Sequence, residues 1–517
     1  MRNNQSQRQD FGTRGVRRGL SLACGALLLQ IVGASAWAQT APAPNGGSGC
    51  TIGVAGDGAV PAPCLTTLVT TDNAFNFNGL ELAAAQADDA AYVSLLKLCG
   101  LTGSGCSGAQ LNLFIQLREL EDNAAELLGF GQSAFSLHLS AQALGFALRW
   151  TADEEYSAQS SITNRLASNQ FDAVTNRLNA VRFITQTMRF ARQGYQDDEQ
   201  LADADAEQAL GGGASADENL PGVGRWSVFA SGSYGSGSKA PTTFNDAFDF
   251  SGQQFLFGAD VRLSAHSVFG IIGSEVSQHA NFNSSESIAS GNVKGSGGGA
   301  TVYFEQDWNS AYLNVSVGVQ HMTLDTRRLV AYPSNNPQEP SVNTNFFSST
   351  GATSWLGTVG GGYSWYLHAF SATPYANLQY LGTRIGAFTE TGSGSDPELA
   401  LSVNGQSVTS LQSILGLKFN YAWSTRLGVI IPYGYGEYRH EFRDKPQSVS
   451  SHYVSSQSVA DQFQLPTDNI DPNYWEVGGG VITELPHRFQ LYAQYLKVLQ
   501  LQYYSYYAIS GGFRFTF

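Results

Sequence analysis

The chain has 517 residues, with 28 basic against 42 acidic side chains and a formal net charge of −14. That balance argues against nucleic-acid binding, which wants clustered positive charge. No apolar run after Val32 is long enough for a spanning helix, so membrane residence would have to use barrel strands.

Arg2, Arg8, Arg14, Arg17 and Arg18 form a basic leader, followed by an apolar run from Leu20 to Val32. Ala36-Trp37-Ala38 then supplies small residues at the −3 and −1 positions, which predicts a signal peptide over 1–38, cut between Ala38 and Gln39. Two rival readings fit less well. Arg17-Arg18 opens a poor twin-arginine match, and Cys24 lacks the large aliphatic that lipidation wants at Ser21. Without the leader, 23 basic residues face 41 acidic ones, a net −18.

Four cysteines remain after cleavage: Cys50, Cys64, Cys99 and Cys106. In an oxidising compartment they predict two disulfides, and the local pairing Cys50–Cys64 with Cys99–Cys106 is preferred among three because each closes a short Gly-rich loop. A four-cysteine zinc site is the alternative, but the spacings suit tight ligand pairs poorly.

Residues 39–198 form a helical N-terminal region or passenger. A Gly/Ala/Pro/Thr leader over 39–68 gives way to Ala- and Leu-rich sequence from Thr71 to Cys99. A second helical pattern runs from Gln110 to Arg149, with a break at Gly129 to Gly131. Thr151 and Glu154 fit a capping box that opens a long helix. Its stripe is Ile162, Leu166, Val174, Leu178, Val181, Ile184 and Met188, which needs an apolar partner in either a small helical bundle or a self-associating coiled segment. Asp197 to Glu207, three glycines from Gly211 and a polar stretch to Gly224 make 199–224 an acidic, Gly-rich linker.

At Arg225 the composition changes to Gly, Tyr, Phe and Ser in alternating segments. Twelve strands are predicted, near 225–235, 252–264, 267–280, 287–306, 309–327, 344–366, 369–384, 406–421, 425–443, 472–484, 487–503 and 505–517. Short turns such as Ser264-Ala265-His266 alternate with longer loops such as Tyr332 to Asn345 and Lys445 to Asp468. The fold class is thus α plus membrane all-β: helices, then a 12-stranded antiparallel transmembrane β-barrel over 225–517. A soluble sandwich is the weaker reading, because the chain ends on an aromatic strand whose edge would invite aggregation. Glu437, Arg439 and Glu441 share one strand face and predict charges turned to the lumen.

The barrel region resembles the translocator domain of classical (type V) autotransporters. Arg225 to Gly235 is similar to that domain's opening strand, and Phe257-Gly258-Ala259-Asp260-Val261-Arg262 to its second. Pro432-Tyr433-Gly434 through Phe442 resembles a late strand, and Tyr474-Trp475-Glu476-Val477-Gly478 to Phe517 its closing pattern. The resemblance implies insertion by the outer-membrane assembly machinery, which reads the final strand with Phe513, Phe515 and Phe517. It also implies outer-membrane lipid and periplasmic chaperones as partners, and a bacterial outer-membrane location with the N-terminal region a candidate for the cell surface. A segment upstream of the first strand would thread the lumen. The Gly, Asp and Pro residues before Arg225 place any plug further back, such as Asp197 to Leu210.

No chemistry stands out in the helical region. Gly131-Gln132-Ser133-Ala134-Phe135 lacks the second glycine of a nucleophile elbow. His138 is the only histidine of 39–198, set between Leu137 and Leu139 in a stretch that reads as helical. No catalytic residue, cofactor or metal site is expected. Three functions compete: display of a helical domain for adhesion or self-association, a hydrolase passenger, or a pore with periplasmic helices.

Overall fold

The computed structural model describes residues 67–159 and 225–517, apart from short gaps, and Val174, Thr175 and Leu178 between them. The signal peptide with Ala38 and Gln39, Cys50, Cys64 and the stretch 197–210 lie outside the described residues.

Twelve long strands close into one antiparallel barrel. They are β1 (Trp226–Lys239), β2 (Phe248–Ser264), β3 (Ser267–Phe282), β4 (Ser290–Trp308), β5 (Ala311–Tyr332) and β6 (Val342–Tyr363). The second half comprises β7 (Phe370–Ile385), β8 (Gln406–Tyr421), β9 (Gly428–Glu441), β10 (Asn473–Leu485), β11 (Phe489–Leu499) and β12 (Tyr504–Thr516). Neighbours pair in sequence order, and β1 meets β12 with Ser227 opposite Thr516, so no edge is left open. Phe517 N–H donates to Trp226 O at 2.9 Å and finishes the seam.

Period-two alternation decides which side chains face out. In β5, Leu313, Val315 and Val317 are exposed to the lipid side, while Tyr312, Asn314 and Ser316 are buried inward. Bulky lumen side chains are accommodated by glycines on neighbouring strands. The Tyr375 ring lies over Gly416 and the Tyr303 ring over Gly270, where a Cβ would collide.

One barrel end carries short turns, both chain ends of the barrel among them; the other carries the longer connections. Those connections contain more strand than the sequence suggested. β5 reaches Tyr332 and β6 starts at Val342, so the expected 332–345 loop shrinks to 333–341. A second sheet of four short strands, Phe388–Thr389, Leu401–Val403, Ser448–Tyr453 and Phe463–Pro466, stands on the same end. These strands were illegible because two to six residues carry too little periodicity to register.

Four helices cover that end: α1 (Thr67–Phe75), α2 (Gly79–Cys99), α3 (Ala109–Leu127) and α4 (Ala141–Thr151). α3 stops at Leu127, and Gly129 and Gly131 adopt positive φ where the break was expected. Ser140 caps the start of α4, its Oγ accepting from Ala143 N–H at 3.3 Å. A disulfide joins Cys99 to Cys106 and closes the turn between α2 and α3.

Two local expectations fail. Thr151 ends α4 instead of capping a new helix: its hydroxyl donates to Leu148 O at 2.8 Å and to Asp88 Oδ2 at 3.0 Å. Helix resumes over residues 154–159, and Glu154 there binds Arg149 instead of closing a capping box. His138 lies in an irregular segment with φ 53°, not in a helix, because its backbone and ring are held by Ser136 and Glu126.

Among the described residues, the four helices form a cap whose core is shared with the barrel. Leu80, Ala91, Leu95, Leu117, Leu120 and Leu144 of the cap share one buried cluster with Val330, Phe346, Leu401, Val449, Tyr453 and Phe463 of the barrel's long-loop end. Burial of this continuous apolar surface is what holds cap to barrel.

Candidate functional site: the cap, the strap and the lumen charges

From the end of α4 the chain turns into the barrel mouth, and residues 153–159 form a strap fastened to the β1–β2 connection, to β5 and to Glu390. Glu154 accepts from Arg149 Nε at 3.0 Å, and Arg149 also pairs with Asp246 of the β1–β2 connection. Asp246 in turn accepts from the backbone N–H of Ile288 and Ala289, at 3.0 and 2.7 Å. The Tyr156 hydroxyl donates to Glu390, which Arg328 of β5 also grips, from Nε at 2.8 Å and from Nη2 at 2.7 Å. Arg328 is 1 % exposed and also donates to the carbonyls of Trp150 and Leu399, at 3.2 and 3.0 Å. A single guanidinium therefore ties the end of α4, the strap and the loop strands together. Paired and hydrogen-bonded on this scale, a buried charge can be tolerated.

Deeper inside, Ala158 packs among inward residues such as Val276, Leu324 and Val498, and Gln159 donates to Thr326 Oγ1 at 2.8 Å. Val174 and Leu178 then lie against Phe229, Leu256, Ile272 and Tyr303, near the short-turn end. These two stripe residues thus meet the barrel wall, not a helical bundle or a second coiled segment; the other members of the stripe are outside the described residues. Val174 and Leu178 are described inside the lumen; the 197–210 stretch that the sequence favoured lies outside the described residues.

Glu437, Arg439 and Glu441 are all buried, while Phe442 is exposed. Arg439 Nη2 lies 2.7 Å from Glu437 and 3.1 Å from Glu476 on β10. Tyr375 O–H donates to Glu437 Oε1 at 2.6 Å. Glu441 serves the backbone instead. It accepts from the N–H of Leu411 and Arg443, both at 2.9 Å, and so finishes the strand end. Glu476 was within reach of the sequence, since it alternates inward from Trp475 and Val477. Arg514 was too: it lies between exposed Phe513 and Phe515, and reaches Asp260 at 3.2 Å and Ser227 at 2.6 Å across the closing seam.

Phe513, Phe515 and Phe517 all face outward on the final strand, at 43, 40 and 56 % exposure. The twelve-stranded barrel that this aromatic strand seals matches the autotransporter β-domain family model over residues 228–496. The chain belongs to the autotransporter β-domain family. As such a translocator, its barrel is an outer-membrane transport domain and not a catalytic one. Among solved structures, it is similar to the translocator domain of autotransporter NalP from Neisseria meningitidis. That match has 14 % identity and a TM-score of 0.44, covering 57 % of this chain and 89 % of that one. It is also similar to the β domain of the Bordetella autotransporter BrkA, with 16 % identity and a TM-score of 0.38, covering 57 % of this chain and 100 % of that one. The transport unit of AIDA-I from Escherichia coli has 13 % identity and a TM-score of 0.34, covering 58 and 93 %. A comparison with curated proteins finds no match.

The autotransporter's cap holds one histidine with a carboxylate partner: His138 Nδ1 lies 2.7 Å from Glu126 Oε2. A hydrolytic site would need a nucleophile on the other ring nitrogen. Both nearby serine hydroxyls serve carboxylates instead, Ser133 on Asp122 at 2.7 Å and Ser136 on Glu126 at 2.5 Å.

Proposed function

We propose that the barrel delivers its own N-terminal helical domain to the cell surface and keeps it there, docked over the barrel mouth for adhesion or self-association. The observation that carries this reading is the apolar core shared by α2, α3, α4 and the long-loop strands. A domain built to be shed would bury its apolar residues within itself. The path of the chain points the same way: helices at the long-loop end, Val174 and Leu178 near the short-turn end, and Trp226 opening the barrel on that side. Partners on this reading are outer-membrane lipid, the outer-membrane assembly machinery and periplasmic chaperones. The cap acts by binding, and no hydrolytic site is assigned to it.

Phe130 is 46 % exposed on the cap, so a Phe130→Cys variant tests the placement. A membrane-impermeant maleimide should label it in intact cells. Labelling only after the outer membrane is permeabilised would overturn surface display and favour periplasmic helices.

A further inference from the structure

Midway along β4 the lumen wall is bare. Inward positions Gly297 and Gly299 lie so close to the β5 backbone that a Cβ at either would collide with it. The trough they leave is flanked by Ser274 and Gln278 on β3 and by Gln320 on β5, with Gln254 beyond on β2. Ser274, Gly299 and Gln320 stand in one row across the three strands. Gln320 is 1 % exposed and Gln254 2 %. Among the described residues, neither end of either amide has a hydrogen-bond partner, nor do Gln278 Oε1 and Ser274 Oγ. Buried polar groups are ordinarily paired, so four such residues on one wall call for a physical reason.

Across the lumen, β10 stands six strands from β4 in the barrel order, and there the polar side chains satisfy one another. Tyr433 O–H donates to Gln494 Oε1 at 2.7 Å, Gln494 Nε2 donates to the Tyr435 oxygen at 3.1 Å, and Tyr435 O–H donates to Glu476 at 3.2 Å. Lys418 Nζ lies 5.7, 6.0 and 5.9 Å from the ring centroids of Tyr375, Tyr433 and Tyr435. The chain inside the lumen also touches the bare wall at both ends of the trough. Gln159 binds Thr326 of β5 on the cap side, and Val174 and Leu178 pack on Leu256, Ile272 and Tyr303 on the short-turn side.

We infer that this trough is a track for extended polypeptide, along which the chain's own N-terminal region passes during delivery. It rests on the reading that the barrel delivers that region to the surface. A side-chain amide carries both donors and acceptor, and each residue of a passing backbone, proline apart, presents one N–H and one C=O. Hydrogen bonds of that kind ignore sequence, so they can be handed from one residue to the next as the chain moves. The saturated wall opposite offers a moving backbone no such partner.

Two measurements on the full-length protein in living cells test the track. Gln254→Leu combined with Gln320→Leu removes both amides at nearly constant size. Arrival of the cap at externally added protease, followed after pulse labelling, should slow about tenfold, the rate equivalent of about 1.4 kcal/mol in unmade hydrogen bonds. Gln254→Asn with Gln320→Asn, which keeps the amides, should export faster than the leucine pair, and heat-modifiable mobility shows whether each barrel has formed. In the second measurement a photoreactive benzophenone group replaces Gln320 or, on the other wall, Gln494. Among pulse-labelled chains not yet open to protease, the group at 320 should cross-link to the helical segment 67–151, and the group at 494 should not. Wild-type export by a well-formed leucine pair, or equal cross-linking from both walls, overturns the track and leaves surface delivery standing. If the leucine pair forms no barrel, the cross-link decides alone. Protection of the wild-type cap from protease would remove surface delivery itself, and the track with it.

Discussion

The barrel and the cap bury charge in opposite ways. Inside the barrel, acids meet bases: Arg439 lies between Glu437 and Glu476, and Arg514 reaches Asp260 across the seam. In the cap, buried acids meet neutral donors: Asp89 accepts from the N–H of Leu68 and Val69 at 3.0 and 3.1 Å, and Asp88 from the hydroxyls of Thr151 and Tyr453 at 3.0 and 2.7 Å. The difference teaches that the barrel's polar interior balances charge with charge, whereas neutral donors leave burial to push the Asp88 and Asp89 carboxyls up, to about 7 and about 6. Arg328 is where the two regimes meet, since it is the buried base that the cap, the strap and the loop sheet share.

That makes Arg328→Ala the most damaging test of the comparison. Glu390 would be left buried without its base, and cap docking should weaken by about 3–5 kcal/mol, the usual loss when one partner of a buried pair is removed. Release of the cap to protease while the barrel keeps its heat-modifiable mobility is the expected result. An unaffected cap would place the docking energy in the apolar core alone. The disulfide comes next. Removing Cys99–Cys106 by a double serine substitution should cost the cap about 2 kcal/mol, because the bridged loop is short. The barrel, which has no cysteine, should be indifferent to it; thermal melts of cap and barrel signals would show the contrast.

The smallest effect on stability is expected at the chain's end. Phe517→Asp at the rim should change barrel stability by about 1 kcal/mol or less, since the penalty for charge fades toward the membrane interface. The same substitution should still lower the amount of assembled barrel in the outer membrane, if the final strand is read during insertion. Normal outer-membrane levels of the variant would remove that role from Phe517.

How much was legible depended on the range of the interactions involved. The predicted strand 406–421 coincides with β8, and the other eleven overlap their observed counterparts, because period two is written locally and lipid enforces it. The inward face of Glu437 and Arg439 was readable for the same reason. The failures turn on particular side-chain partners that periodicity does not show. Thr151 looked like a cap for the helix ahead, yet Asp88, 63 residues behind it, takes its hydroxyl. His138 sits among leucines in a helical-looking pattern, but Glu126 and Ser136 hold it out of the helix.

The sequence by itself determined that this chain makes twelve alternating strands, that they seal on an aromatic terminal strand, and that helices precede them. Local periodicity carries each of those, and closure follows because an open edge cannot persist in lipid. Only the tertiary structure decided where the helices go. Tyr453 O–H donates to Asp88 at 2.7 Å across 365 positions, and Val174 and Leu178 pack on a wall built by strands β1 to β4. No local pattern encodes such pairs, since their partners are neighbours only once the barrel has closed around the chain.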